Sequence, residues 1–263
     1  RDPWTEWGLW DSLMVSSPAR WLHRRLERRV LATADEIITI TPFYVKRFEQ
    51  LSGRKVALLT NGFDAEDFKG MIYSRADTFV IRHAGIVNEK CDPRPFMNAL
   101  KKEMDADPVF KRDLKVEFVG DVHPDFISYV SNIAALKETT FFTGNVPHDD
   151  LIHLYGSSSM LLLILTGYKD AEGFLPGKLF EYIATGLPVL GVGPPASDAA
   201  TLLQETGAGI MVETGDEPAI RQAIRAVYEK WRRSESPAAD RAKIEKYSRR
   251  GITRQLSALL AAG

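Results

Sequence analysis

Residues 171 to 193, AEGFLPGKLFEYIATGLPVLGVG, contain the side chains that are best placed to do chemistry. Glu172 precedes a turn, and Lys178 and Glu181 fall near the start of a predicted helix that begins at Gly177. Unpaired amides and the helix dipole favour anions at such a helix start, above all phosphate. The dipole disfavours a lysine there unless an anion lies nearby, and Glu181 is placed to accept a hydrogen bond from a sugar hydroxyl. The segment therefore suggests a ligand with phosphate and sugar groups.

The same residues also fit a plainer explanation. Lys178 and Glu181 are three residues apart, so they could form an ion pair on the surface of an ordinary helix. Gly173 and Gly177 would let the backbone approach a ligand closely, but glycines before a helix are common. Taken alone, the segment favours the surface helix, and the choice depends on the rest of the chain.

The composition limits the partners of the chain. Its 263 residues include 34 basic and 35 acidic ones, which gives a net charge of -1. The chain therefore has no overall positive charge that would indicate nucleic acid as a partner. Cys91 is the only cysteine, which excludes an intrachain disulfide and suits a reducing, cytoplasmic compartment. The longest apolar run, Met160 to Leu165, is too short to span a bilayer. The opening RDPWTEWGLWDS lacks an initiator methionine, so we expect a piece of a longer protein.

Strands alternate with helices from Thr78 onward. The predicted strands are TFVIRHAGI, LKVEFVG, TTFFTG, MLLLILT, PVLGVG and AGIMVE, with one helix predicted at FISYVSNIAALK and others between the remaining strands. Such alternation indicates right-handed βαβ units on a parallel sheet. The unbroken apolar runs MLLLIL and PVLGV are typical of strands buried on both faces. The predicted fold class is α/β, a Rossmann-like doubly wound parallel sheet, in which ligands bind beyond the carboxyl ends of the strands.

The first 77 residues follow a shorter pattern. We predict a helix capped by Ser17, with Leu22, Leu26 and Val30 on one apolar face. The strands EIITI and KVALLT flank a second helix, capped by Thr41, and a polar linker follows.

EGFLPGKLFEYIATGLPVL resembles the donor-binding signature of family 4 glycosyltransferases, which have the GT-B fold. HAGIVNEKCDPRPFMNAL resembles the opening of that family's C-terminal lobe, and FFTGNVPHDDLIHLYGSSSMLLL the segment beside the nucleotide base. ADEIITITPFYVKRFEQL and KVALLTNGFDAEDF resemble the end of the N-terminal lobe. The resemblance covers nearly the whole chain. It implies a remnant of the acceptor lobe with a linker at 1–77, a nucleotide-sugar-binding lobe at 78–246 and a tail helix at 247–263 that returns toward the first lobe.

The resemblance also implies roles for individual residues. Lys90 would neutralise the leaving diphosphate and Glu181 would hold the ribose, while Glu172 is the second catalytic candidate. The donor-binding positions implied are Gly173, Phe174, Gly177, Lys178, Leu179, Glu181, Asn145 and Val146, with Asn145 and Val146 beside the base.

Two departures from the family pattern affect these roles. Eight residues separate Glu172 from Glu181 where the family has seven, because Leu175 is extra, so it is open whether Glu172 reaches the sugar. The arginine that often precedes the family's lysine is absent near Ile86, and Lys178 or Arg94 could compensate for it.

The implied activity is transfer of a sugar from a UDP- or GDP-linked donor to a sugar or lipid-linked acceptor, with retention of anomeric configuration, as in polysaccharide biosynthesis. No metal or cofactor is expected. Because the family's N-terminal lobe supplies the acceptor site, we expect the isolated chain to be inactive. A GT-B sugar-nucleotide epimerase and a noncatalytic nucleotide-binding or scaffolding module are the alternatives.

Two further features remain open. The segment Arg20 to Arg29 holds five arginines, which fits a solvated face or a peripheral contact with anionic lipid at the inner face of a membrane. The two N-terminal strands, left without a larger sheet, would expose edges for self-association.

The five histidines show no metal-binding pattern. His83 lies at the end of a predicted buried strand, which favours a packed histidine over a ligand.

Overall fold

The N-terminal unit contains two helices and two short strands. The structure is a computed structural model that describes residues 4–5, 10, 13–167, 170–235 and 239–262. The elements of this unit are α1 (Ser17–Thr33), β1 (Ile38–Thr39), α2 (Pro42–Ser52) and β2 (Ala57–Leu58). The strands β1 and β2 pair in parallel as a two-stranded sheet.

The helix caps in this unit match the sequence only in part. Thr41 caps α2 as predicted, because its hydroxyl oxygen accepts a hydrogen bond from the amide of Tyr44 at 3.2 Å. Gly53 ends α2 in the left-handed conformation, with φ of 66°. The predicted cap of α1 is wrong: the helix begins at Ser17, and Ser16 stands at the cap position without a side-chain hydrogen bond.

A six-stranded parallel sheet organises the rest of the chain. Its strands are β3 (Phe79–Ala84), β4 (Leu114–Val119), β5 (Thr140–Gly144), β6 (Met160–Ile164), β7 (Val189–Val192) and β8 (Gly209–Val212). Their order in the sheet is β5-β4-β3-β6-β7-β8, and all neighbours are parallel. The chain builds outward in one direction from β3 and in the other from β6. The topological switch point, where open α/β sheets bind ligands, therefore lies between β3 and β6.

Helices cover both faces of this sheet. They are α3 (Arg94–Ala106), α4 (Pro108–Asp113), α5 (Pro124–Ser131), α6 (Ala134–Thr139), α7 (His148–Gly156), α8 (Gly177–Thr185), α9 (Asp198–Thr206), α10 (Glu217–Arg232) and α11 (Arg241–Glu245). A last helix, α12 (Arg249–Ala262), follows them in the chain. In β6, Leu162 and Ile164 pack into one apolar core with α3 and α10, while Leu161 and Leu163 pack into a second with α8 and α9. The predicted doubly wound α/β sheet with strands buried on both faces is confirmed.

The helices differ from the sequence prediction at FISYVSNIAALK, at α4 and at α11, which was not predicted. The single helix expected at FISYVSNIAALK is two helices, since α5 ends at Ser131 and α6 starts at Ala134. The short helix α4 was not predicted. The carboxylate of Asp107 caps it by accepting hydrogen bonds from the amides of Val109 and Phe110.

The linker packs against the sheet domain, and the tail returns to the N-terminal unit. The amide of Ser74 donates to the carbonyl of Gly156, and the guanidinium of Arg75 lies 4.9 Å from the centre of the Trp231 ring. After α11 the chain returns to the end of the N-terminal unit, where Phe63 pairs with Ser248 in a parallel bridge. Among the described helices, none has the length and apolarity needed to cross a membrane.

Candidate functional site

The helix α8 starts at Gly177, as the sequence predicted, and follows a loop that leaves β6. Pro176 stands at its cap position, and a methyl group built on Gly177 would meet no atom within 4 Å. At its other end, the guanidinium of Arg241 donates to the carbonyls of Ala184 and Thr185 at 2.9 and 3.2 Å. The far end of α8 is therefore anchored, while its first turn lies beside the switch point and faces open space at Gly177.

The side chain of Lys178 crosses from α8 to the end of β3. Its Nζ lies 3.4 Å from Nε2 of His83, and a methyl group built on Gly85 would lie only 2.7 Å from that Nζ. Gly85 has φ of 119°, a backbone conformation that favours glycine. Burial lowers the pKa of Lys178, opposed by interactions with Cys91 and Glu181. The ammonium of Lys178 is therefore held beside His83, at the carboxyl end of β3.

No carboxylate oxygen in the described part of the chain lies within ion-pair distance of this ammonium. The surface ion pair between Lys178 and Glu181, which the sequence left as the plainer explanation, is not formed. A partly buried cation without a carboxylate partner is costly, because burial removes water and no negative charge replaces it. The arrangement can accept an anion.

Glu181 lies one turn further along α8 and is oriented by a tyrosine. The hydroxyl of Tyr155, at the end of α7, donates to Oε2 of Glu181 at 3.1 Å. Tyr155 is fully buried, and burial raises its pKa, so the hydroxyl keeps its proton and can only serve this carboxylate as a donor. Sequence reasoning missed Tyr155, because it lies 26 residues from Glu181 and forms no local motif with it.

Lys90 belongs to the loop after β3, which contacts the loop after β6. The amide of Gly167 donates to the carbonyl of Lys90 at 3.0 Å, and a methyl group on Gly167 would lie 2.6 Å from the Cα of Lys90. The loop that carries Lys90 therefore borders the same end of the sheet as Lys178.

The turn before α8 packs against the N-terminal unit. Glu172 is exposed, whereas Gly173 is buried beneath the ring of Phe43, whose Cδ1 would lie 2.4 Å from an added methyl group. The backbone amide of Phe43 also donates to Oδ2 of Asp198 at the start of α9, at 2.9 Å. The aromatic ring therefore gives Gly173 a packing role in addition to the donor-binding role that the resemblance implies.

The remaining predicted donor-binding residues occupy varied positions. Phe174 is partly buried, and Leu179 is buried with its amide donating to the carbonyl of Pro176 at 3.0 Å. Asn145 and Val146 follow β5, at the same edge of the sheet but two strands from β3. Among the described residues, no group of three or more acidic, histidine or cysteine side chains could hold a metal ion.

Comparisons with known proteins identify the family and the fold of the chain. The family model described as "Glycosyl transferases group 1" matches residues 93–230, just over half of the chain. No curated protein sequence is significantly similar to the chain.

Several solved structures have the same fold. HepE from Anabaena in complex with UDP-glucose superposes with a TM-score of 0.69 at 17% identity, over 92% of this chain and 68% of its own. Sucrose-phosphate synthase from Thermosynechococcus elongatus gives 0.65 at 18% identity, over 95% and 64%. WaaG, a glycosyltransferase involved in lipopolysaccharide biosynthesis, gives 0.62 at 14%, over 90% and 64%. The chain thus spans about two thirds of the length of these structures.

Proposed function

Because the chain belongs to the family of glycosyl transferases group 1, we propose that the site at the carboxyl ends of β3 and β6 binds a nucleotide-sugar, whose sugar the enzyme transfers to an acceptor. Membership of family 4, which the sequence resembles, and retention of anomeric configuration are part of this proposal. The acceptor is a sugar or a lipid-linked sugar.

The ammonium of Lys178 is the observation that carries the proposal. It lies at the switch point, beside the first turn of a helix, and no described carboxylate neutralises it. Diphosphate supplies the missing negative charge, and the helix start adds its dipole. Departure of a nucleoside diphosphate builds further negative charge, which a fixed cation stabilises without rearranging. Lys90, in the facing loop, is the second cation we assign to the diphosphate.

Glu181 is suited to the ribose of the nucleotide. An ionised carboxylate only accepts hydrogen bonds, and a ribose offers two adjacent hydroxyl donors. Tyr155 holds Oε2, which leaves the remaining lone pairs of the carboxylate for the ligand. Asn145 and Val146, on the far side of β4, are the positions we assign to the base. Glu172, which is exposed beside the turn, is the second acid we assign to the sugar.

Binding of UDP tests this assignment, since the solved structures of HepE hold UDP and UDP-glucose. We expect Lys178→Met to weaken UDP binding at least tenfold by calorimetry, because an ion pair with diphosphate is lost. Lys137→Met is the matched control, since Lys137 is exposed on α6 away from the switch point. Equal affinity of Lys178→Met and the unaltered chain for UDP would overturn the proposal, as would no binding of UDP or GDP to the unaltered chain.

We also propose interactions for the N-terminal unit. Trp21, Leu22, Leu26 and Val30 are exposed on α1 among arginines, which supports peripheral contact with an anionic membrane. Self-association through the edges of β1 and β2 is the alternative partner for this unit.

A further inference from the structure

His83, at the end of β3, uses both of its ring nitrogens. Its Nδ1 lies 2.9 Å from the carbonyl oxygen of Leu162, and its Nε2 lies 3.4 Å from Nζ of Lys178. A carbonyl oxygen can only accept a hydrogen bond, so Nδ1 carries the proton. The lone pair on Nε2 is then left to accept from the ammonium.

The imidazole stays neutral over the working pH range. Its side chain is fully buried, and burial lowers the pKa of His83 to about 3. The charge of Lys178 acts in the same direction, while the carbonyls of Leu162 and Ile86 oppose it. A neutral His83 is therefore a permanent acceptor for Lys178.

Cys91 and the carbonyl of Ile86 are the other polar groups next to this imidazole. The Sγ of Cys91 lies 3.7 Å from the carbonyl oxygen of Ile164 and 3.8 Å from Nε2 of His83. Burial raises the pKa of Cys91, so it remains a thiol, whose weak S–H can donate to the Ile164 carbonyl. Glu181 is the charged group that faces Lys178 from α8 itself.

We propose that His83 is a positioning residue for donor binding: its Nε2 holds the Lys178 ammonium at the carboxyl end of β3, where it meets the diphosphate. A neutral acceptor orients the ammonium without cancelling its charge, whereas a carboxylate at this position would compete with the diphosphate. This inference rests on the proposed function, and it adds a residue that touches neither the nucleotide nor the sugar.

Three variants separate this role from a merely structural one. His83→Leu removes the acceptor, His83→Gln keeps an acceptor at similar reach, and Cys91→Ala alters the same pocket without removing it. We expect His83→Leu to bind UDP roughly tenfold more weakly at pH 7, the size of one hydrogen bond to a charged group. His83→Gln should recover most of that loss, and Cys91→Ala should bind UDP as the unaltered chain does.

The pH dependence of binding adds a second readout. UDP affinity should fall as pH rises through the lowered pKa of Lys178, since the neutral amine no longer attracts diphosphate. Without the acceptor on His83 the charged form of Lys178 is less stable and its pKa falls further. His83→Leu should therefore move the loss of UDP affinity to lower pH. Comparing variants at each pH cancels the titration of UDP itself.

A measurement on the unaltered chain covers the case in which the variants fail to fold. Nitrogen-15 NMR of labelled histidine should show His83 as the Nδ1–H tautomer, constant from pH 5 to 9, with an Nε2 shift that changes when UDP binds. A protonated or Nε2–H His83, or an Nε2 shift that UDP leaves unchanged, would overturn the inference. If Lys178→Met loses UDP while His83→Leu retains both the affinity and the pH profile, only this inference fails. If Lys178→Met binds UDP normally, the proposed function fails.

Discussion

At the scale of residues, the orientation of Glu181 depends on a hydroxyl group from another helix. We expect Tyr155→Phe to weaken UDP binding by about three- to tenfold, since a hydrogen bond to a charged acceptor is lost and the carboxylate can rotate. Glu181→Ala should weaken it further, because the ribose then loses its acceptor. Calorimetry with UDP measures both effects.

Tyr247→Phe provides the control for this prediction. The hydroxyl of Tyr247 donates to Oε2 of Glu205 at 2.9 Å, so the same chemical change removes the same kind of bond on α9. UDP affinity should be unaffected there. A Tyr155→Phe variant that folds normally and binds UDP as tightly as Tyr247→Phe would show that Glu181 needs no support from Tyr155.

At the scale of elements, the turn before α8 depends on α2. The ring of Phe43 fills the space beside Gly173, and its amide is tied to Asp198. Gly173→Ala should therefore push Phe43 away and weaken UDP binding, whereas the same change in a Phe43→Ala background should be tolerated. The double-mutant cycle, measured by thermal unfolding and UDP affinity, should give a coupling of about 1 kcal/mol or more, as contacting residues do. Additive effects would mean that the two elements act independently.

The sequence predicted the elements better than it predicted their contacts. The run MLLLIL identified β6 because a strand buried on both faces needs apolar side chains at every position, and these side chains are indeed buried. Lys178 and Glu181 could be identified from the sequence because they lie close together at a predicted helix start, where amides and the helix dipole favour an anion. The sequence predicted a packed His83, which is indeed fully buried. It did not predict the contact of His83 with Lys178 or that of Tyr155 with Glu181, because the partners lie 95 and 26 residues apart and only the fold brings them together.

At the scale of the whole molecule, α1 presents an apolar face that no described part of the chain covers. The sequence predicted Leu22, Leu26 and Val30 on one face, but the helix buries Glu27 and Leu31 instead. The carboxylate of Glu27 accepts hydrogen bonds from the amides of Trp4 and Thr5, which fixes the helix in this orientation. Its exposed side is consequently both apolar and basic.

This surface predicts binding to anionic vesicles. Arg24, Arg25, Arg28 and Arg29 are exposed, and the only acidic residue of α1 is the buried Glu27. Basic residues near an anionic surface contribute about 1 kcal/mol each, and salt screens them beyond a Debye length of about 10 Å at 0.1 M. The chain should float with phosphatidylglycerol vesicles at low salt. Flotation should largely disappear at 0.5 M salt, and also when the vesicles are made of neutral lipid.

A pair of helix variants identifies the face responsible. Trp21→Ser with Leu22→Ser should abolish flotation, because the apolar anchor is removed while every arginine remains. Leu256→Ser with Leu260→Ser, on the exposed side of α12, is the matched control and should leave it intact. Sedimentation at several protein concentrations tests self-association. A dimer that the Trp21 and Leu22 changes leave intact would fit pairing through the edges of β1 and β2. A dimer that these changes convert to a monomer, with no vesicle binding in either form, would mean that a second copy covers the apolar face of α1. Charge favours the membrane, since two copies of α1 would bring like-charged arginines together, whereas an anionic surface attracts them.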